Sequence, residues 1–131
     1  MTEVFVDSFF WLAAFNRDDP YHQQVVQTPK PPRAVTTWAV LLEVMNTLSP
    51  QRLRPLAMRF WQAVTNDPDV EVVQLDEDLL NRAVELYENR PDKSWSLTDC
   101  ISFRVMEDRG ITDALTGDHH FEQAGFRILI Q

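Results

Sequence analysis

The stretch ALTGDHHF, residues 114–121, brings together side chains that bind metal ions in many proteins. Asp118 is followed directly by His119 and His120. The pair of histidines could bind zinc, Asp118 could belong to a carboxylate site, or the stretch could be a polar turn. Neighbouring side chains of an extended backbone point apart, and zinc spacings such as His-x₃-His are absent. The sequence therefore favours a turn or surface role for the two histidines and leaves Asp118 as the candidate.

Two further acidic residues lie at the ends of predicted elements, one directly after a strand and one in the first turn of a helix. Asp7 comes directly after the β-prone run EVFV, and Asp99 lies in the first turn of a helix opened by Ser96 and Thr98. In open parallel sheets, sites form at the carboxyl ends of the strands, which is where Asp7 and Asp118 are expected. Each acid taken alone could equally be a helix cap or a first-turn carboxylate. Their shared position predicts a common site.

A fourth acid, Glu43, lies inside a predicted helix at 38–49. Helical spacing predicts one apolar face made of Trp38, Leu41, Leu42, Met45 and Leu48. Ala39, Glu43 and Asn46 then form a stripe away from that face, so periodicity alone indicates an ordinary solvated glutamate. The helix follows the strand AVTT, however, so its N-terminal half begins at the sheet edge where Asp7 is expected.

Convergent carboxylates imply a cation. Two carboxylates about 4 Å apart repel by ~4 kcal/mol at an effective dielectric constant of ~20. Three or four together therefore require protonation or a bound positive charge. Hard oxygen ligands favour Mg²⁺ or Mn²⁺ over zinc, and such ions activate water and contact phosphoryl oxygens.

The elements that would position these acids alternate along the chain, which predicts an α/β layered domain with a mainly parallel sheet. Pro20 is expected in the first turn of the second helix, and three prolines make 28–33 a loop. The predicted strands cover 3–6, 34–37, 70–75, 111–116 and 126–130. The predicted helices cover 8–16, 18–27, 38–49, 52–67, 77–90 and 96–110.

Composition is that of a single globular domain over residues 1–131. The chain is 44% hydrophobic and 24% charged, and it contains no apolar run of the ~20 residues that a membrane helix needs. The N-terminus lacks a basic signal-peptide region, and Cys100 is the only cysteine, which fits a cytoplasmic protein and a small buried thiol. His22 is expected to be a capping or packing histidine.

The net charge of −8 disfavours nonspecific attraction of nucleic acid. The basic groupings are few, and they either steer RNA or are scattered surface charges: Lys30, Arg33, Arg52, Arg54 and Arg59. The first helix contains four aromatic residues, too many for one core face: Phe9, Phe10, Trp11 and Phe15. Either some of them pack against a partner chain, or the whole helix is buried.

Taken with their flanking residues, the four acids resemble a known family. The segments VFVDSFFWLAAFNRDDPYHQQ, TTWAVLLEVMN and SLTDCISFRVMEDRGITDALTGDHHFEQAGF are similar to the PIN-domain ribonucleases, specifically the VapC-type toxins of bacterial type II toxin–antitoxin pairs. The third segment is the most specific, because it contains the Thr-Asp helix, the Thr-x-Asp strand end and Ala-Gly-Phe. The resemblance extends over nearly the whole chain.

The resemblance implies a site and a function. The four acidic residues of the family's site correspond to Asp7, Glu43, Asp99 and Asp118, and we call them the acidic quartet. They would hold Mg²⁺ or Mn²⁺. Three hydroxyls sit where the family orients those carboxylates: Ser8, Thr98 and Thr116. The family further implies a PIN-like three-layer sandwich with a five-stranded sheet in the order 3-2-1-4-5. It also implies hydrolysis of RNA to 5′-phosphate and 3′-hydroxyl ends, a homodimer, and a cognate antitoxin that inhibits the toxin.

Two rival functions fit part of the sequence. A phosphoacceptor receiver domain also gathers acids at a parallel sheet edge, but it needs an acidic pair at the first strand and a lysine at the last. This chain has Asp7 alone, and its last strand begins at Arg127 with no lysine nearby. A catalytically silent PIN module, acting only by binding protein or RNA, remains the alternative, although an intact quartet argues against it.

Overall fold

The computed structural model describes residues 2–131, and its centre is a five-stranded sheet. The strand order is β3-β2-β1-β4-β5, and every pair of neighbouring strands is parallel. The strands are β1 (Glu3–Val6), β2 (Arg33–Thr37), β3 (Val70–Val73), β4 (Asp113–Leu115) and β5 (Arg127–Ile128). The α/β fold and the predicted order 3-2-1-4-5 are confirmed.

Helices connect the parallel strands, as crossover connections in such sheets require. They are α1 (Ser8–Phe15), α2 (His22–Val26), α3 (Trp38–Thr47), α4 (Arg54–Thr65), α5 (Glu77–Asn89), α6 (Leu97–Arg109) and α7 (His119–Gln123). A 3-10 turn at Gln51–Leu53 leads into α4. None of the helices in the part of the chain described here is long and apolar enough to cross a bilayer.

The helix ends follow local signals in the sequence. Thr37 caps α3 by accepting the amide of Val40 at 3.1 Å, and Asp76 caps α5 by accepting the amide of Leu79 at 2.8 Å. Gly110 ends α6 with φ +63°, a left-handed conformation that glycine adopts at low cost. These caps fix where each helix begins or ends relative to the sheet.

Several predicted elements are shorter than expected. The second helix starts at His22, because Asp19 instead accepts the amide of Tyr21 and closes a turn that contains Pro20. The last two strands cover three and two residues. Residues 119–123, predicted as part of a turn, form α7, because the Asp118 side chain accepts the amide of His120 at 2.9 Å and caps a helix.

The core lies on the faces of the three central strands. Phe5 and Val35 are fully buried at paired positions on β1 and β2, and Ala114 on β4 pairs with Phe5. Strands buried on both faces explain why VFV, AV and AL are short apolar runs without alternation. At the amino edge of the sheet, Arg109 of α6 pairs with Glu71.

Candidate metal centre

The four predicted acids meet at one edge of the sheet. Asp7 directly follows β1, and Asp118 lies three residues beyond the end of β4, the strand that pairs with β1. Glu43 is in the second turn of α3, the helix that begins where β2 ends. Asp99 is in the first turn of α6. The carboxyl ends of parallel strands therefore bring together residues that are up to 111 positions apart in the chain.

Asp7 is held beneath the surface by a hydroxyl from the neighbouring strand. Asp7 is only 4% exposed, and its Oδ2 accepts a hydrogen bond of 3.0 Å from the Thr116 hydroxyl. The same hydroxyl oxygen accepts the amide of Asp118 at 3.0 Å. Thr116 thus links two of the four acids through one hydroxyl group.

Glu43 is half-buried and accepts a hydrogen bond from the Ser8 hydroxyl at the start of α1. The predicted apolar face of α3 is wrong by part of a turn: Ala39 is buried, whereas Leu42 is 55% exposed. The helix packs on Val40, Leu41 and Val44 instead. Because the packed face is rotated, Glu43 lies at its border and contacts α1 rather than projecting into solvent.

Asp99 belongs to a reciprocal cap at the start of α6. Its amide donates to the Ser96 hydroxyl at 3.0 Å, and its carboxylate accepts the Ser96 amide at 3.1 Å. The same carboxylate oxygen lies 2.9 Å from His120 Nδ1. The sequence predicts Ser96 only as a helix cap, although the Ser-x-x-Asp spacing is a signal for this arrangement.

The two histidines differ in position. His120 Nδ1 is 2.9 Å from the carboxylate of Asp99 and 3.5 Å from that of Asp118. His119 is largely exposed and contacts Glu122 of its own helix. The prediction of a turn or surface role for both histidines holds for His119 only, because in α7 the two rings leave the helix about 100° apart and one of them faces the acids. His120 is therefore a member of the cluster that sequence reasoning missed.

Thr98 stays a predicted orienting residue without a matching contact. Among residues 2–131, the hydrogen-bonding groups on the Asp99 carboxylate are the Ser96 amide and the His120 ring. Thr98 contributes its carbonyl to the hydroxyl of Ser102, and it lines a cleft together with Glu43. Ser96 occupies the orienting role expected of Thr98.

Burial and mutual repulsion perturb these carboxyl groups. Desolvation is the main cause that raises the pKa of Asp7 from 3.8 to about 7, and the nearby charges of Asp99 and Glu43 add to the effect. The pKa values of Glu43 and Asp99 are also raised, first by desolvation and then by neighbouring acids. Each of these groups is thus ionised at an energetic cost when no cation is present.

The cluster fits a divalent cation. Ligand atoms of Asp99, Asp118 and His120 lie within 4.8 Å of one another. Within residues 2–131, no lysine or arginine lies within ion-pair distance of any of the four carboxylates. Carboxylate oxygens are ligands for hard divalent cations, and a bound cation would offset the burial and the repulsion that raise the pKa values.

Two clefts give access to the cluster. One, of about 600 Å³, is lined by Asp7, Asp118 and His120, together with the first turns of α1. The other, of about 450 Å³, is lined by Glu43 and Thr98. The carboxylates can therefore be reached by a ligand from solvent although Asp7 itself is buried.

The remaining sequence candidates have structural roles. His22 Nδ1 lies 2.7 Å from the carbonyl oxygen of Ala13, which confirms the packing role. Cys100 is fully buried, which confirms the predicted small buried thiol, and burial raises the pKa of that thiol to about 11. In the aromatic group, Trp11 packs in the core against Phe60, whereas Phe9, Phe10 and Phe15 are half-buried.

Residues 4–127 match the family model of the PIN domain. The chain is 33% identical over 125 residues to the "23S rRNA-specific endonuclease VapC20" of Mycobacterium tuberculosis, covering 94% of this chain and 95% of that protein. The crystal structure of VapC20, described as a sarcin-ricin loop cleaving toxin, superposes with a TM-score of 0.87 at 30% identity, over 94% of this chain and 95% of that one.

More distant structures share the fold. A toxin–antitoxin complex from Klebsiella pneumoniae superposes with a TM-score of 0.67 at 14% identity, over 96% of this chain and 95% of that one. VapBC2 from Rickettsia felis, bound to a promoter DNA fragment, superposes with a TM-score of 0.69 at 11% identity, over 97% of both chains.

Proposed function

The chain belongs to the PIN domain family, and from that membership we propose that it is a metal-dependent endoribonuclease that acts as the toxin of a toxin–antitoxin pair. The observation that carries this proposal is the convergence of Asp7, Glu43, Asp99 and Asp118 at the carboxyl edge of the sheet, with no lysine or arginine from residues 2–131 to neutralise them. Such a cluster is costly for stability and is suited to holding a cation at a phosphodiester.

In the proposed site, the four carboxylates hold Mg²⁺ or Mn²⁺, and polar neighbours fix their orientation. Thr116 holds Asp7, Ser8 holds Glu43, and Ser96 holds Asp99. A divalent cation supplies charge for the phosphoryl oxygens and lowers the pKa of water. The carboxylates themselves repel the phosphodiester until a cation is bound, so hydrolysis should depend strictly on metal.

The proposed substrate is RNA, and 23S rRNA is the first molecule to test. This choice rests on the 33% identity with a protein named for cleavage of 23S rRNA, and on the TM-score of 0.87 with a toxin that cleaves the sarcin-ricin loop. The protein would then cleave 23S rRNA rather than RNA in general.

A cleavage assay with matched variants tests this function. Purified protein is incubated with ribosomes or isolated 23S rRNA in Mg²⁺, in Mn²⁺ and in EDTA, and the new RNA ends are mapped. Asp7→Asn and Asp99→Asn should lower the cleavage rate by at least ~100-fold, because each removes a carboxylate from the metal centre. Asp69→Asn, an exposed acid outside the site, should cleave at the parent rate.

Two results would contradict the proposal. Cleavage that persists in EDTA at the parent rate would separate the activity from the carboxylates. Absence of cleavage in any metal, while RNA or a protein partner is still bound, would leave the catalytically silent binding module as the function.

The partners are proposed on the same basis. A small antitoxin would cover α1 at the half-buried Phe9, Phe10 and Phe15 and extend an arginine to the acids in place of the cation, since a guanidinium pairs bidentately with carboxylate. Expression of this chain alone should arrest growth, the Asp99→Asn form should not, and an adjacent small gene should restore growth. Equal arrest by both forms would exclude a nuclease as the cause.

We further propose a cytoplasmic homodimer. Leu42 and Leu75 leave apolar surface exposed beside Glu43, at a cleft where a second copy could pack. Analytical ultracentrifugation of the parent and of Leu42→Glu checks this interface. A parent protein that sediments as a monomer at micromolar concentration would contradict the dimer.

A further inference from the structure

Four arginines differ from the other cations of this acidic chain. Of the twelve lysines and arginines, eight form ion pairs with carboxylates in residues 2–131. The four that form none are all exposed: Arg17, Arg52, Arg54 and Arg59. With a net charge of −8, acidic partners are abundant elsewhere on this chain, so four unpaired guanidiniums indicate a surface kept positive.

These arginines lie in two segments that adjoin in space. Residues 44–66 contain Arg52, Arg54 and Arg59 and no acidic residue. Arg17 follows the end of α1. Arg17 and Arg59 line a common cleft of about 690 Å³ between the end of α1 and α4, which we call the arginine cleft; its other lining residues are Ala14, Phe15, Asn16, Asp18, His22 and Leu56.

The arginine cleft continues the cleft of the metal centre along α1. Ser8 and Leu12 line the cleft at the metal centre, and Phe15 lines the arginine cleft. Residues spaced by four and seven positions share one face of a helix, so both clefts open on the same side of α1. Eight residues of helix are ~12 Å long, a distance that a few nucleotides of single-stranded RNA span.

We propose that the arginine cleft binds phosphate groups of the RNA substrate a few nucleotides from the scissile bond, an inference that rests on the proposed function. The metal centre is anionic and cannot attract RNA by itself, so a polyanionic substrate needs positive charge nearby. Arginine forks suit phosphate, since two parallel N–H groups contact two oxygens. The other basic cleft, at Arg90 and Lys93, is a weaker candidate because both residues pair with Asp92.

Binding measured without metal tests the inference separately from catalysis. A fluorescent single-stranded fragment of 23S rRNA is titrated in EDTA with the full chain, with Arg17→Gln, with Arg59→Gln and with the double variant. Each substitution should weaken binding about tenfold, as removal of a charge-assisted hydrogen bond does. The dependence of log Kd on log salt should also become shallower by about 0.7 for each phosphate group that the variant no longer binds.

Arg127→Gln is the control for net charge. It removes one positive charge as the test variants do, but from an arginine paired with Asp113. Its Kd for RNA should equal that of the parent. A cleavage arm in Mn²⁺ uses the fragment and a dinucleotide too short to reach the arginine cleft: Arg17→Gln and Arg59→Gln should raise KM for the fragment and leave cleavage of the dinucleotide unchanged.

Three outcomes would overturn the inference. The first is equal RNA affinity of all variants, and the second is an equally weakened affinity in Arg127→Gln, which would indicate net charge alone. The third is unchanged RNA affinity together with abolished binding of the antitoxin, which would assign the arginine cleft to the protein partner. If the parent cleaves no RNA in any metal, the proposed function fails, while the binding arm in EDTA still decides whether the arginines hold RNA.

Discussion

Asp7, a buried acid of the candidate metal centre, lowers the stability of the folded protein when it is ionised. Its carboxyl is buried beside two other acids, and its pKa of about 7 means that the folded chain retains a proton which the unfolded chain has already released at neutral pH. Between pH ~4 and ~7, ionisation therefore favours the unfolded state increasingly. The Thr116 hydrogen bond offsets part of this cost and keeps the carboxylate in place.

Asp7→Asn should accordingly stabilise the metal-free protein at pH 8. The amide oxygen can still accept from Thr116, while the buried charge is gone. The gain is at most about 4 kcal/mol, since one pKa unit corresponds to ~1.4 kcal/mol, and it should fall below ~1 kcal/mol at pH 4, where Asp7 is protonated in the folded chain and only partly ionised in the unfolded one. Urea unfolding of both proteins in EDTA from pH 4 to 8 measures this. A gain that is constant across this range would contradict the assignment.

The two adjacent histidines offer a second comparison between single residues. His120→Ala should weaken Mn²⁺ binding about tenfold, because its ring lies 2.9 Å from Asp99 and holds that carboxylate or binds the ion directly. His119→Ala, on the exposed side of α7, should bind Mn²⁺ as the parent does. Isothermal titration measures both affinities, and Asp118→Asn gives the effect of removing a quartet carboxylate. Equally weakened binding in the two histidine variants would indicate that α7 as a whole was disturbed.

Among the helices and strands, the site depends on how α1 approaches the loop between β4 and α7. A Cβ atom placed at Gly117 would lie 2.6 Å from the tip of the Phe9 ring, closer than side-chain atoms can approach. Phe9 in turn packs on Tyr21, with ring centroids 4.8 Å apart. Gly117 therefore lets the first turn of α1, with Ser8, come close to the loop that carries Asp118.

Gly117→Ala should displace Phe9 and destabilise the protein by about 1–2 kcal/mol, as overpacking typically does. In a Phe9→Ala background the same change should cost less than half as much, because the clashing ring is absent. Urea denaturation of the four proteins of this double-mutant cycle measures the coupling. Additive effects of the two substitutions would exclude the contact as the reason for glycine at this position.

For the molecule as a whole, the cation should act as a folding ligand. A bound divalent ion relieves the repulsion among the four carboxylates, so Mn²⁺ should raise the melting temperature of the parent at a pH where they are ionised. Free ion at a hundred times its Kd would raise the free energy of unfolding by about 2.7 kcal/mol. Asp99→Asn should show a smaller rise, and Asp69→Asn the full rise. Thermal melts with and without EDTA check this, and an equal shift in all three proteins would indicate binding elsewhere.

The distribution of charge is also a property of the whole molecule. The carboxyl edge of the sheet is anionic, while two of the four unpaired arginines, Arg17 and Arg59, line a cleft at the far end of α1. A substrate with many phosphates could thus be held by the arginines and cut at the acids, whereas an uncharged ligand would gain little from this arrangement. The sequence shows Arg52, Arg54 and Arg59 as a grouping, but Arg17 joins them only through the fold.

Local signals in the chain are enough to predict the order of elements, the parallel sheet and three of the acids, Asp7, Asp99 and Asp118, whereas Glu43 is singled out only by the family resemblance. These signals are short β-branched runs, the caps Thr37, Asp76 and Ser96, and acids placed directly after strands or in first turns. The order 3-2-1-4-5 came from the family resemblance and is confirmed by the strand pairing. Each signal acts over a few residues, so it can be recognised in the sequence before any contact between elements is known.

Packing between elements determines which face of α3 is buried and that His120 rather than His119 faces the acids. Helical periodicity gives the buried face of a helix only to within part of a turn; Val40, Leu41 and Val44 are buried, and Leu42 is exposed. The hydrogen bond between Thr116 and Asp7 joins residues 109 positions apart. Such contacts exist only when the strands are paired, which is why the chain alone could place the acids but not their partners.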